Sequence, residues 1–496
     1  MGKKKSVVLM TLLTIVIVVL SALTAFPKID NLPGTVKKWN PAMMQYDLGM
    51  DLGGGYYAYY YPEGVITETE YENNLADKTD EEKAEYAESY FNPEGSSLYF
   101  DTDEDKNIVS DGVISEDFTA AFNAAAAEIE ARYAAMGYSD YSVAIVDNYA
   151  IKVTLPASEV NAGQVISSFM LTGEMTIQKG GSVIDELKGK ETKVSDLIKS
   201  ISVGTQYDVA FLRINFTKAG KEMLAGVKSS LTASTGASTE ATTLDILVGE
   251  TKLVSIYQDH ISDNNTAKVP MAYVENKDYV EMASVLLNSV LKNGSFDIEF
   301  QTLATSDIRS FAPVYGENIM TMIFIAGAIA IVGLIALAIV KMGRFGGVSA
   351  YNSASYLIVV GLCFAFISKG VFEITLGSVL VFFAGLVLVN VLQAYVYNAI
   401  KAEFSLGKTV ESSVKAGYNK TFWTVVDVYA VLLLASLALL IGGAGVYTLA
   451  LQAIICVITG AFCNLLWGRF INFTFLSASK NKYQYFRFVR EDDDDE

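Results

Sequence analysis

Hydrophobic positions in this chain gather into long unbroken runs near its two ends, with short alternating or helical patterns between them. The long runs occupy 6–26, 319–340, 351–368, 372–395, 422–441 and 447–468. A helix rises about 1.5 Å per residue, so about 20 apolar residues cross roughly 30 Å of hydrocarbon. The pattern predicts six membrane spans, with about 290 residues between the first and the second and the last five close together. The first run follows Lys3, Lys4 and Lys5, a start that a cleaved signal peptide shares. It is about 21 residues long and lacks a small-x-small site before Pro27, so a retained anchor is expected.

Between the spans the periods are those of a folded domain. Residues 46–61 read as an extended segment broken at Gly53, Gly54 and Gly55. The acidic stretch 67–107 shows little apolar periodicity and is expected to be an irregular insertion. An Ala-rich helix is predicted from Ser115 to Met136, then strands over 142–146 and 149–155 joined at Asp147-Asn148 as a hairpin. A short helix over 165–171 and a strand over 174–178 follow. The grammar then repeats: a strand over 207–216, a helix over 218–230, strands near 244–248 and 253–257, a helix from Asp278 to Asn293, and a last strand over 297–302. Residues 229–243 are small and polar and predict a mobile loop, with Ser234 and Thr235 as candidate contact residues. The expected fold is a six-helix membrane bundle plus an α+β domain with ferredoxin-like subdomains.

Charge orients this plan. Hydrophobic residues make up 51% of the 496, and the mean hydropathy is +0.32. Lys3, Lys4, Lys5, Lys341, Arg344, Lys401, Lys408, Lys415, Lys420, Arg469, Lys480, Lys482, Arg487 and Arg490 fall on one side, and the opposite short loops hold only Lys369. Basic residues stay cytoplasmic, so 1–5 and the acidic-ended tail 469–496 are placed inside and 27–318 outside the membrane. Spans two to six fill 319–468. The outer segment carries 45 Asp+Glu against 22 Lys+Arg, a net charge of −23, which repels phosphate and argues against nucleic acid. It contains no cysteine, so its stability must come from packing; Cys363, Cys456 and Cys463 all lie in membrane runs.

Catalytic chemistry is thin. His260 is the one histidine, which excludes a multi-histidine metal site and a His-based triad. The run from Ala402 to Thr409 matches a relaxed phosphate-loop pattern but follows a membrane helix, with no room for a nucleotide fold. Asp101, Asp103 and Asp105 begin like a calcium loop, yet Lys106 and Gly112 stand where Gly and Glu belong. No catalytic residue, metal or cofactor is expected. Asp427 is a carboxylate inside the fifth span, about five residues from the start of its apolar run, with Asn390 and Gln393 in the fourth. Charge at membrane depth is costly, so Asp427 either snorkels and packs or serves proton coupling, with Asn390 and Gln393 as further candidates.

Tyr46-Asp-Leu-Gly-Met-Asp-Leu-Gly-Gly-Gly55, which includes Asp51, Gly53 and Gly54, resembles the LGLDLxGG motif of the SecD family. Blocks at 132–137 and 151–156 are similar to that family's next motifs, with Ala157 in place of its Gly, and 212–225 and 283–294 to two more. Lys415-Ala-Gly-Tyr-Asn-Lys420 resembles EAGFKR, and Thr424-Val-Val-Asp427 resembles TILD. One block departs: where the family reads VDANV this chain reads Asn390-Val-Leu-Gln-Ala394, so the family's proton-relay Asp falls on Val391 and its Asn on Gln393. The resemblance implies an RND-like auxiliary subunit of the Sec preprotein translocase. It acts late in export, coupled to proton motive force through a SecF-like subunit, with the SecYEG channel, SecA and unfolded exported polypeptides as partners. An RND-type exporter of lipids or small molecules is the alternative, and a sensor with an outer binding domain is a further one.

Overall fold

A computed structural model describes residues 3–25, 46–102, 116–136, 140–157, 162–188, 192–234, 241–262, 264, 266–273, 277–294, 296, 298–367, 371–442 and 444–479. The chain forms two compact units, Gly55–Phe311 and the pair Met1–Gly54 with Ala312–Glu496.

In the first unit, β1 (Gly55–Tyr60) lies between β14 (Arg309–Phe311) and β6 (Ala150–Pro156), and β5 (Ser142–Val146) closes an antiparallel four-stranded sheet. Alternation decides its inner face: Ala58, Tyr60, Ile151, Val153 and Leu155 are buried. Asp147 and Asn148 both take positive φ, 51° and 64°, the backbone a two-residue turn needs, and the hairpin predicted there forms. Helix α5 (Glu116–Ala135) buries Phe118, Phe122, Ala125, Ile129 and Tyr133, a three-and-four spacing that makes one apolar stripe.

Two further sheets complete the core, β13-β10-β9 and β12-β11-β7-β8. The strands are β7 (Met175–Lys179), β8 (Ser182–Val183), β9 (Ile198–Gln206), β10 (Val209–Phe216), β11 (Leu244–Val248), β12 (Thr251–Ile256) and β13 (Ala267–Tyr273). Helix α9 (Lys277–Asn293) buries Val280, Ala283, Leu286, Leu287 and Val290. Between α5 and α9 sits Arg132, 1% exposed. Its Nε donates to Ser289 Oγ at 2.9 Å, and its Nη1 donates to the carbonyls of Phe169 and Leu171 at 2.7 and 3.2 Å. Its guanidinium also lies 4.3 Å over Phe296, with Glu128 3.7 Å away. Burial pushes the Arg132 pKa down to about 10, against the pull of Glu128.

Three expectations are corrected. As far as Thr102 the acidic stretch is ordered rather than irregular, with 103–107 outside the described residues: α3 (Glu68–Ala76) and α4 (Asp80–Glu88) are helices, and β2 (Val65–Thr67), β4 (Leu98–Asp101) and β3 (Tyr90–Phe91) form a small sheet. Reciprocal capping by Thr67 with Glu70 and by Thr79 with Glu82 starts both helices, although neither buries a residue. Tyr71, Tyr86, Tyr90 and Tyr99 stack beside them in place of an aliphatic core. Tyr207 belongs to the β9–β10 turn, with φ 49°, and not to the strand. The closing strand is β14 on β1, while 297–302 contributes an isolated bridge from Phe300 to Pro62.

Among the described residues of the second unit, six helices are long and apolar enough to cross a membrane, beginning with α1 (Lys3–Ala25). The others are α10 (Ile319–Met342), α11 (Arg344–Ile367), α12 (Leu376–Ser405), α13 (Val410–Leu439) and α14 (Ala444–Phe462), the last running through a π-helical turn, Cys463–Trp467, into α15 (Gly468–Ala478). At 30 residues each, α12 and α13 are about 45 Å long and exceed the hydrocarbon they have to cross. Lys408 and Lys420 both reach Glu403, which closes the end of this helical hairpin. The chain is a multi-pass membrane protein with a large soluble α+β unit.

Candidate functional site

The segment 46–54 packs onto the bundle. Leu48 bridges Ile374, Gly49 N–H donates to the Ile374 carbonyl at 3.0 Å, and Ile374 N–H donates to that of Asp47 at 2.7 Å. A single turn, α2 (Met50–Gly53), then aims Asp51 so that its Oδ2 accepts from the backbone N–H of Leu376 at 2.7 Å. Leu376 is the first residue of α12, so a carboxylate sits on the positive end of a 30-residue helix dipole. A Cβ on Gly53 would fall 2.9 Å from Leu48 Cβ, and Gly54 holds φ 71°. Both glycines serve this tight return.

At its middle, α12 presents amides to its neighbours. Asn390 Oδ1 accepts from Ser349 and Ser353 of α11 at 3.0 and 3.2 Å, and its Nδ2 donates back to Ser353 at 2.9 Å. Gln393 is fully buried, and its Nε2 donates to Asn464 Oδ1 at 3.0 Å. Asn352 of α11 donates to the same oxygen at 3.1 Å, while Asn464 Nδ2 donates to the Tyr429 hydroxyl of α13 at 2.8 Å. Asn464 stands in the π-helical turn. A polar seam thus joins α11, α12, α13 and the π-turn inside the bundle, with hydroxyls and amides but no carboxylate in these contacts. Asn352, Asn464, Ser349, Ser353 and Tyr429 were missed from sequence; the signal available was an amide within an apolar run.

Val391 and Asp427 do not join the seam. Val391 is 57% exposed on the surface of the bundle, and Asp427 is exposed on α13. Helix α13 begins at Val410, well before the apolar run, so Asp427 lies about 26 Å along it; Val391 lies about 21 Å from the other side of the α12–α13 turn. Antiparallel helices therefore bring the two positions to nearly the same depth. The structure groups Asn390 and Gln393 inside, and leaves Val391 and Asp427 on the outer surface of this unit.

In the soluble unit, Ser234 is anchored. Its N–H donates to Asp259 Oδ1 at 2.8 Å and its hydroxyl to Asp259 Oδ2. These bonds, the hydroxyl's first, hold the Asp259 carboxyl below the ordinary carboxylate range. His260 accepts from the N–H of Tyr257 at 3.3 Å, and burial lowers its pKa. Thr235 lies outside the described residues. Among the described residues no group of three or more His, Cys, Asp or Glu gathers as a metal site.

No protein-family model matches the chain. Over 202 residues it is 26% identical to protein translocase subunit SecD of Borreliella burgdorferi, covering 39% of this chain and 32% of that protein. Over 236 residues it is 25% identical to protein translocase subunit SecD of Petrotoga mobilis, covering 46% and 45%. The matched region therefore spans less than half the length of these curated relatives. Its fold is that of a crystal structure of SecDF in a super-membrane-facing form, with a TM-score of 0.54 at 15% identity over 95% of this chain and 58% of that one.

Proposed function

We propose that this chain, SecD-like in sequence and SecDF-like in fold, is an auxiliary subunit of the Sec translocase that assists late export across the plasma membrane. The observation that carries the reading is the agreement of SecD similarity in sequence with a SecDF fold over 95% of the chain. In this reading 27–318 lies outside, meets unfolded polypeptide leaving the SecYEG–SecA channel, and limits its backsliding. Ser234 and Thr235 border the client. The anchoring of Ser234 on Asp259 supports a loop that is fixed at its root.

The matched SecDF chain extends well beyond the region this chain covers, which supports a SecF-like second half as partner. The surface bearing Val391 and Asp427 is the proposed docking face. A carboxylate on the outside of a bundle at that depth is costly against lipid and is better accommodated against a partner helix. Valine carries no proton, and the seam contacts of Asn390 and Gln393 offer hydroxyls and amides but no carboxylate, so the main proton-carrying carboxylate belongs to the partner and Asp427 plays a supporting part. One charge crossing 100 mV yields about 2.3 kcal/mol, enough to bias a two-state domain movement.

Affinity purification of the tagged chain from mildly solubilised membranes tests the assignment. Recovery of a SecF-like protein with channel components supports export. A dedicated efflux or signalling partner without them would replace it. With assembly intact, Asp427→Asn should reduce proton-dependent export less than loss of the partner's fourth-span carboxylate; the reverse order would refute the division of labour.

A further inference from the structure

The polar seam contains two acceptors that protein groups leave unsatisfied. Asn352 and Gln393 are each 0% exposed, and both direct amide N–H groups at one oxygen, Asn464 Oδ1. Their own oxygens, Asn352 Oδ1 and Gln393 Oε1, accept no hydrogen bond among the described residues. Turning the two amides end for end does not help, because it would set both oxygens against Asn464 Oδ1, acceptor against acceptor. Rotating Asn464 as well keeps the Tyr429 contact, with the tyrosine hydroxyl now the donor, but exchanges the two open oxygens for two open amide N–H groups. A buried acceptor without a donor carries its full desolvation cost, so two of them in one contact network call for a ligand.

The surroundings define that ligand. It must hydrogen-bond to amides, donating to the two open carbonyl oxygens or, with the three amides reversed, accepting from the N–H groups that replace them. It must be small, because Gly468 closes the seam at close range: a Cβ there would lie 2.5 Å from Gln393 Nε2 and 3.3 Å from Asn352 Nδ2. It must be neutral, because the seam residues are amides and hydroxyls, and an ion among them would lack a counter-charge. We propose that Asn352 Oδ1 and Gln393 Oε1 are ligands of ordered internal water, and that the seam is a hydration site within this bundle. Water bound to polar groups that have no protein partner is a regular part of buried structure. Here it completes a hydrogen-bonded belt across α11, α12, α13 and the π-turn while leaving those helices without a direct bond at two points. The site needs no partner subunit, so it stands or falls independently of the export reading.

X-ray radiolytic labelling of the full chain in nanodiscs prepared in ¹⁸O water tests this, since bound water generates hydroxyl radicals that oxidise the side chains it touches. Tyr429 and Cys463 border the seam and are nearly fully buried; Tyr60, in the soluble unit, and Cys456, elsewhere on α14, are likewise buried. Tyr429 and Cys463 should label severalfold faster than Tyr60 and Cys456. The double change Asn352→Leu with Gln393→Leu should bring them down to the level of that pair, and Gln393→Leu alone, a milder change, should lower them part of the way. Equal labelling of the two pairs in the native chain, or unchanged labelling in a folded variant, would overturn the proposal. So would a rise in Tm in sodium chloride over choline chloride that the variant loses, because that result assigns the oxygens to an ion.

Discussion

Removing the Asp51 carboxylate should loosen the start of α12 by an amount its geometry allows to be worked out. Asp51 Oδ2 accepts from the Leu376 N–H at 2.7 Å, one of the donors that a helix cannot satisfy within itself. A side-chain acceptor at such a donor is worth about 0.5–2 kcal/mol, and a negative charge at a helix start adds about 0.3–1 kcal/mol, more where it is partly buried. Thr375 and Ser378 still cap each other in the variant, so the loss is confined to Asp51's own share. Asp51→Ala should therefore cost about 2 kcal/mol, and Asp51→Asn, which keeps an acceptor and loses the charge, about 1 kcal/mol. At roughly 2–4 °C per kcal/mol for a unit of 150–250 residues, Tm should fall by about 4–8 °C and about 2–4 °C respectively. Differential scanning fluorimetry in nanodiscs measures both. An Asp51→Ala protein that melts with the native chain, or an Asn variant that melts below the Ala variant, would show that the motif does not act by capping α12.

Other consequences follow from single contacts. Arg132→Ala strips donors from Ser289, Phe169 and Leu171 and should destabilise the soluble unit of the full chain by about 3 kcal/mol, read by pulse proteolysis in urea; a change under about 1 kcal/mol would mean the network is dispensable. Ser234 holds the Asp259 carboxyl below its ordinary value of 3.8, so that stabilisation is present above the unfolded pKa and disappears as pH falls through the lowered folded one. The stability difference between native chain and Ser234→Ala should thus be flat from pH 7 to about pH 5 and vanish on further acidification; a difference that grew in acid would reverse the argument. Cysteines introduced at Ser234 and Ser405 should label oppositely with an impermeant maleimide on intact cells, and equal labelling would refute the proposed topology.

How much of this was legible in the sequence depended on the physical signal each element carries. The membrane helices are apolar along their whole length and α9 buries one apolar face, and uninterrupted runs and three-and-four spacing respectively show these directly. Helices α3 and α4 bury nothing, so apolar periodicity was silent about them; the capping pairs Thr67 with Glu70 and Thr79 with Glu82 were the local cue. Strand β9 went unread because only Ile198 and Ile201 along it are buried, too few for an alternating pattern, and β10 supplies its order by pairing. The seam was half visible. Gln393 and Asn390 stand out as amides in an apolar run, but the link from Gln393 through Asn464 to Asn352 spans 112 residues of sequence and depends on a π-turn that no spacing rule announces. Asp51 and its glycines were recognised as a motif, while their work at Leu376, 325 residues away, is a fact of three dimensions.

The most direct test of the account is a pulse-chase of secreted proteins in cells depleted of this chain, with the proton motive force intact. The account predicts that signal-bearing precursors of several unrelated secreted proteins accumulate within one chase period, and that re-expression of the native chain clears them. Normal maturation of every precursor, alongside accumulation of a lipid or small molecule inside the cell, would contradict it and assign the bundle to efflux.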